Sequence, residues 1–421
     1  MIIPSIDLKG GQVVQLIGGA EPALEAGDPR PLAERFGVAG ELAVIDLDAA
    51  LGTGSNRDLI TPLLGDFDCR VGGGIRSYAA AADWLDAGAA RVILGSAARP
   101  DLLRRLPRER VLAAVDAVDG EVVIHGWQTR TGANLLDRVR ELSPYVGGFL
   151  VTFVEREGRL QGTSLEQARA VVAAAGDARV TIAGGITTAE EVAALDRMGA
   201  DAQVGMALYT DVLDLGDALA APLVSDRPDG LWATLVCDEG GRALGLAWSD
   251  AESLRAAIAQ RRGIYHSRKR GLWEKGASSG ATQELLRVEV DCDRDALRFI
   301  VRQAGPGFCH TGTTSCFGPA RGLPALEAQV AARVAAAPPG SYTRRLLDDP
   351  ALLQAKLREE ARELAEATDR AHVAQELADV LYFALVAAGR SGVTLAEAEA
   401  VLDRRARRIT RRPGDAKEDA C

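Results

Sequence analysis

The chain has 421 residues, 47% of them apolar and 26% charged, and a formal net charge of -10 at neutral pH. That length predicts about two to four domains, and the acidic balance argues against nucleic acid or an anionic membrane as a general partner. Six cysteines in so long a chain imply reduced thiols in the cytoplasm, and neither a secretion signal nor a membrane-length apolar stretch is expected.

Residues 1–221 alternate short Val/Ile/Leu runs with Ala-rich helical stretches; Ala43-Val-Ile-Asp46, Arg91-Val-Ile-Leu94 and Val180-Thr-Ile-Ala183 are examples of the runs. Strand–helix units repeated over this length predict a parallel (β/α)8 TIM barrel. The segment also repeats itself. Ile6-Asp7 through Val13-Val14 matches Val115-Asp116 through Val122-Val123, Gly73-Gly74-Ile75 matches Gly184-Gly185-Ile186, and Gly95 matches Gly205. A near-constant offset of about 110 residues marks a doubled half-barrel. Each half then has an aspartate at the end of its first strand and two glycine turns further on. Glycine turns at strand C-termini let backbone N–H groups approach phosphate, so two sets predict a substrate with a phosphate at each end. Asp7 and Asp116, between them, are candidates for general base and general acid.

The motifs Ile3-Pro-Ser-Ile-Asp7, Ile45-Asp-Leu-Asp-Ala49, Gly72-Gly-Gly-Ile-Arg76, Val92-Ile-Leu-Gly-Ser96, Gly126-Trp127 and Ala183-Gly-Gly-Ile186 resemble the isomerase family that converts the aminoaldose ProFAR to the aminoketose PRFAR. The resemblance implies Asp7 and Asp116 as the catalytic pair, with Thr152 assisting. It implies substrate contacts from Gly73, Gly74, Arg76, Gly95, Ser96, Trp127, Gly184, Gly185 and Gly205. The chemistry is an Amadori rearrangement, in which an acid opens the ribose and a base removes the proton beside the iminium. Which aspartate does which is not legible in the residues; Asp7 as base and Asp116 as acid is the favoured arrangement. Glu157-Gly158 stands where Asp-Gly is usual and Gln15-Leu16 where Arg-Leu is common; both departures bear on loop closure more than on chemistry. A barrel serving only as scaffold, or one that also accepts phosphoribosylanthranilate, stays open.

Residues 222–319 are denser in strand signals. Val288-Glu-Val290 and Ala296-Leu-Arg-Phe-Ile-Val301 read as strand on either side of Asp291-Cys-Asp-Arg-Asp295. Alternation along a continuous strand would set Asp291, Asp293 and Asp295 on one face and Cys292 on the other. Carboxylates suit Mg²⁺. Cys292, Cys309 and Cys316 suit Zn²⁺, and three protein ligands leave a fourth position for water. The plainer alternative is a solvated acidic strand end with buried cysteines; Cys69, Cys237 and Cys421 read as ordinary thiols. With Arg227-Pro-Asp-Gly-Leu-Trp232, Ser267-Arg-Lys-Arg-Gly-Leu-Trp-Glu-Lys-Gly276, Ser278-Ser-Gly280 and Cys309-His-Thr-Gly-Thr-Thr-Ser-Cys-Phe317, the segment resembles phosphoribosyl-AMP cyclohydrolase. The resemblance implies Mg²⁺ on the aspartates, Zn²⁺ on the cysteines and a site shared across a homodimer. It also implies a catalytic His310, substrate contacts from Arg268, Trp273 and Lys275, and hydrolytic opening of a purine ring. Lys269 replaces the serine usual in that family.

From Ala325 the chain reads as helix, broken at residues 337–340 and 389–392, with a loose tail from Arg411. Glu360 with Glu363 and Glu376 with Asp379 are pairs three apart, each on one helix face. Two facing pairs would cage Mg²⁺, whereas either pair alone would be a solvated surface. This pattern resembles the all-α nucleoside triphosphate pyrophosphohydrolases. Ser341-Tyr-Thr-Arg-Arg345 and Arg411-Arg-Pro-Gly-Asp-Ala-Lys417 narrow it to phosphoribosyl-ATP pyrophosphohydrolase, with Arg344, Arg345 and arginines between 404 and 412 set to meet phosphates.

The expected organisation is therefore multidomain: a (β/α)8 TIM barrel (1–221), a small β-rich α+β zinc domain (222–319) and an all-α helical bundle (323–421). The resemblances imply three consecutive steps of histidine biosynthesis acting on ATP-derived phosphoribosyl nucleotides. The alternative is a bifunctional hydrolase with a non-catalytic barrel.

Overall fold

The computed structural model describes residues 1–19, 21–124, 126–338 and 340–410. Residues 1–241 and 246–305, with the described residues from Arg407 onward, form one compact unit, and residues 242–245 and 306–406 form another.

The first unit begins with β1 (Ile2–Lys9), β2 (Gln12–Ile17), β3 (Glu21–Gly27), β4 (Leu42–Asp46), β5 (Cys69–Gly72) and β6 (Arg91–Leu94). It continues with β7 (Val111–Val118), β8 (Glu121–Ile124), β9 (Thr129–Asn134), β10 (Gly148–Phe153), β11 (Arg179–Ala183) and β12 (Ala200–Val204). Eight of these pair in parallel in the order β10–β11–β12–β1–β4–β5–β6–β7, and β7 closes on β10. The expected barrel forms. Its strands are short apolar runs because they are covered on both faces, by helices outside and by packed side chains inside. Ile93, Leu112, Leu150 and Ala183, with Ile45 and Ala114, fill the interior.

The internal repeat is visible as geometry. The first strand of each half turns back into a hairpin, β1 into β2 and β7 into β8, so that Asp7 lies opposite Val14 and Asp116 opposite Val123. Near the strand N-termini, the fully buried Arg70 donates to Thr181 Oγ1 at 2.7 Å and to Glu41. This network joins strands from the two halves and sits away from the candidate site, where barrels keep stability rather than chemistry.

Beyond the barrel come β13 (Trp232–Cys237), β14 (Ala243–Ser249), β15 (Ile264–Ser267), β16 (Gly271–Glu274), β17 (Gln283–Val290) and β18 (Ala296–Gln303). Four of these form a sheet in the order β14–β13–β18–β17, and β15 pairs with β16. One expectation is corrected here. Residues 291–295 are not part of a continuous strand but the connection of the β17–β18 hairpin, with Arg294 at φ 68°. A turn abolishes the alternation of faces on which the separation of Cys292 from the aspartates was based.

The second unit is helical, over Gly322–Ala336, Tyr342–Asp348, Pro350–Glu366, Arg370–Arg390 and Leu395–Ala406. Ser341, Asp349 and Asp369 cap three of these through their side chains. Val330, Leu346, Leu353, Phe383, Leu385 and Val386 form its core. Gly389 does not break its helix. It lies inside Arg370–Arg390, and a Cβ there would come within 3.0 Å of Val330, so the glycine serves a close helix crossing. By length and composition Arg370–Arg390 is apolar enough to cross a bilayer; its Phe383, Leu385 and Val386 are instead part of this core. The tail from Arg411 lies outside the described residues.

Candidate functional site

At the C-terminal mouth of the barrel is a cavity of about 1040 Å³ whose walls include Asp7, Asp116, Thr152, Trp127 and both glycine sets. Register explains the convergence. Asp7 is next to Ile45 on β4, and Asp116 is next to Thr152 on β10. Ser5 Oγ donates to Asp7 Oδ1 at 2.8 Å, but burial outweighs this bond and pushes the Asp7 carboxyl up to about 6. Burial likewise raises Asp116, against hydrogen bonds from Trp127 and Thr152. A third carboxylate joins them. Glu157 lines the same cavity; burial, then the charges of Asp7 and Asp116, push it up to about 8. Its segment is held by Gly18 N–H donating to Glu157 O at 3.1 Å. Gly158, at φ 69°, leaves no room for a Cβ, which would lie 2.4 Å from Leu16 O.

The two departures expected to bear on loop closure, Glu157 and Gln15, both line this cavity, which nothing in a lone Glu-Gly or Gln-Leu dipeptide signals. Gln15 is buried in the cavity wall with an Nε2 that has no hydrogen-bond partner. A buried donor left open costs stability unless something else accepts from it.

Most of the glycines also have a local structural rationale. A Cβ on Gly73 would lie 2.1 Å from Asp46 O, one on Gly74 2.5 Å from Ala49 O, and one on Gly184 2.5 Å from Phe153 O. All three have positive φ, so they are required by their own turns. Gly205 would meet Gln15 at 2.5 Å, and only Gly95 of the set has open space over its Cα. Ser96 lines the cavity beside it. Arg76 is engaged with the carbonyls of Ala49 and Ala50 at 3.2 and 2.6 Å.

Two carboxylate groups elsewhere lie close enough together that they could hold a cation. Asp291, Asp293 and Asp295 each offer an oxygen within 4.8 Å of the others, as do Glu360, Glu363 and Glu376. In the first group, hydrogen bonding with Asp291 and the charge of Asp293 raise Asp295, while Asp291 is lowered; the carboxylates compete for one proton. In the second, Glu376 Oε2 is buried without a hydrogen-bond partner, and Lys356 Nζ lies 2.6 Å from Glu360. Asp379 is exposed and stands outside that group. Arg344 pairs with Asp348 at 2.8 Å, one helical turn on, and Arg345 is exposed.

Cys309 and Cys316 belong to the second unit and Cys292 to the first. Hydrogen bonds from Thr311, then Thr313 and Cys316, lower the Cys309 thiol to about 6. It is thus a thiolate at neutral pH, the form that binds a soft metal. Thr311 Oγ1 donates to it at 3.1 Å and His310 Nδ1 stands 3.8 Å away. Around the β15–β16 hairpin, Arg268 lies over Trp248 and the buried Lys275 lies 5.9 Å from the Trp273 ring.

The histidine biosynthesis protein family model matches residues 1–214. An imidazole-4-carboxamide isomerase of Methanocaldococcus jannaschii is 36% identical over 232 residues, 52% of this chain and 98% of that protein. The chain belongs to the histidine biosynthesis protein family. In this family member, the phosphoribosyl-AMP cyclohydrolase model matches residues 245–318 and the phosphoribosyl-ATP pyrophosphohydrolase model residues 323–406, in the order the motifs predict. A histidine biosynthesis trifunctional protein of Komagataella pastoris is 54% identical over 203 residues, 48% of this chain and 24% of that protein. A histidine biosynthesis bifunctional protein of Schizosaccharomyces pombe is 51% identical over 205 residues, 49% of each. The chain thus spans about half or less of the length of these two curated relatives.

Proposed function

We propose that this chain is a trifunctional histidine-biosynthesis enzyme. Residues 323–421 release pyrophosphate from phosphoribosyl-ATP, residues 222–319 hydrolytically open the ring of phosphoribosyl-AMP to give ProFAR, and residues 1–221 isomerise ProFAR to PRFAR. Family matches over all three segments support it. The observation that carries the barrel step is the meeting of Asp7, Asp116 and Glu157 in one cavity between two glycine sets.

At neutral pH Asp7, at about 6, is ionised, and Glu157, at about 8, holds a proton. Asp7 is therefore the base that takes the proton beside the iminium. Asp116, likewise raised by burial and held by Trp127 and Thr152, is the acid toward the ribose ring oxygen, and Glu157 adds a further protonated carboxyl to the same cavity. Buried carboxyls that differ in protonation make an acid–base pair.

Mg²⁺ fits the carboxylate groups, and Zn²⁺ fits Cys309 and Cys316 with Cys292, the thiolate set being completed in a homodimer through the cyclohydrolase segment. Bound there, the ions supply activated water and neutralise phosphate charge. His310, Arg268, Trp273 and Lys275 are assigned to the ring-opening site, and Arg344 and Arg345 to phosphates. The enzyme works in the cytoplasm on phosphoribosyl nucleotides.

The test is to give phosphoribosyl-ATP to the purified chain with both metals and follow products by mass spectrometry. PRFAR is the expected end point. ProFAR that accumulates without turning over leaves the barrel as a scaffold.

A further inference from the structure

The turn at residues 291–295 is held from outside its own hairpin. Arg294 occupies the left-handed region at φ 68°, where a non-glycine side chain is strained. Its Nε and Nη2 donate to Asp196 Oδ2 and Oδ1 at 2.9 and 3.0 Å, a two-pronged pair in which Asp196 is 8% exposed. Asp196 belongs to the barrel helix Ala189–Arg197. The third prong of the guanidinium, Nη1, donates to the carbonyl of Asp291 at 2.7 Å, and Arg294 O accepts from Val224 N–H at 2.8 Å. Inside the turn, Asp291 Oδ1 accepts from the N–H groups of Asp295 and Ala296 at 3.0 and 3.2 Å. A fork-shaped pair of this kind fixes orientation as well as position.

We propose that the Arg294–Asp196 pair makes the barrel a brace for the neighbouring aspartate turn, and that both are positioning residues for the cation held by Asp291, Asp293 and Asp295. This rests on the reading of those aspartates as a cation site. Three carboxylates on a free turn repel one another, and gathering them costs binding energy; a turn already bent carries less of that cost. Arg294 touches no cation ligand oxygen, so it acts only through the backbone shape. At Arg294 the sign of the effect separates shape from charge. Removing a nearby positive charge should tighten cation binding through the field alone, whereas removing a brace should weaken it.

The experiment titrates Mn²⁺ into the full chain by electron paramagnetic resonance, in a Glu360→Gln, Glu363→Gln background that silences the helical site. Arg294→Gln and Asp196→Asn should each weaken Mn²⁺ binding by about tenfold or more, the size usual for outer partners of metal ligands. Asp196→Glu should recover most of the loss. Arg294→Gly, which relieves the φ strain but removes the pair, should bind as weakly as Arg294→Gln. Isomerase turnover, unchanged in all four, shows that the barrel is folded. Unaltered or tighter binding in Arg294→Gln and Asp196→Asn overturns the brace alone. Mn²⁺ binding that is insensitive to Asp293→Asn removes the cation site itself, and the brace with it.

Discussion

The barrel and the helical unit both gather carboxylates, yet they surround them differently. In the barrel, the groups that touch Asp7 and Asp116 are neutral donors, the Ser5 hydroxyl on one side and Trp127 and Thr152 on the other. In the helical unit, Lys356 reaches Glu360 at 2.6 Å and His372 reaches Glu376 at 3.1 Å. Buried carboxylates without counter-ions hold protons into the neutral range, which is the requirement for acid–base work. In the helical unit Glu360 is also buried, but its carboxylate group converges among basic side chains. The two groups thus differ in the sign of their neighbours, which suits the first to proton transfer and the second to exchanging those partners for a divalent ion.

The largest expected break is in the barrel. Asp7→Asn should lower ProFAR isomerisation by roughly 10²- to 10⁴-fold, since proton transfer is removed and shape is kept, while ring opening and pyrophosphate release continue. Glu157→Gln should fall comparably and lose the alkaline limb of its pH–rate profile near about 8. A wild-type profile that falls neither below pH about 6 nor above pH about 8 would contradict the assignment of the pair.

In the helical unit, Glu360→Gln should slow pyrophosphate release by about 10²-fold, several kcal/mol of charge stabilisation being lost with a metal ligand. Asp379→Asn should cost less than about tenfold, because Asp379 stands outside the three-carboxylate group. Equal losses from the two variants would show that the helices close further around the ion than this structure has them.

The smallest effect is on stability, and it has a pH signature. Asp7 sits at about 6 in the fold against an ordinary 3.8. A raised carboxyl contributes stability that is fully present below its unfolded value and is lost as pH rises through its folded value. Above that window, burying the charge costs on the order of 3 kcal/mol at about 1.4 kcal/mol per unit. Asp7→Asn should therefore be more stable than the wild type at pH about 8 and no more stable at pH about 4, as thermal melts would show. An effect independent of pH would mean that Asp7 keeps no proton of its own.

Much of this was legible from residue order. The repeat of Ile6-Asp7 at Val115-Asp116 and of Gly73-Gly74 at Gly184-Gly185 predicts two equivalent half-barrels, and the register places both aspartates opposite matching valines. Such features are local. A strand is announced by its own apolar run, a strand-end aspartate by its place in that run, and paired glutamates by helical spacing.

What the chain order could not announce depends on groups far apart in sequence coming together. Glu157 is raised because closing the barrel buries it, and secondarily because that sets it near the charges of Asp7 and Asp116. Gly73, Gly74 and Gly184 are needed because neighbouring backbone passes within 2.1 to 2.5 Å of where a Cβ would be. The Asp291–Asp295 run looks like strand from its flanks, and is bent into a turn whose Arg294 is paired to Asp196, 98 residues earlier. Sequence by itself determined the elements, the repeat and the residue types that carry the chemistry, because these follow from local preference and spacing. Tertiary structure alone decided which carboxylates keep protons and which turn is braced, because desolvation and ion pairing depend on distance in space rather than along the chain.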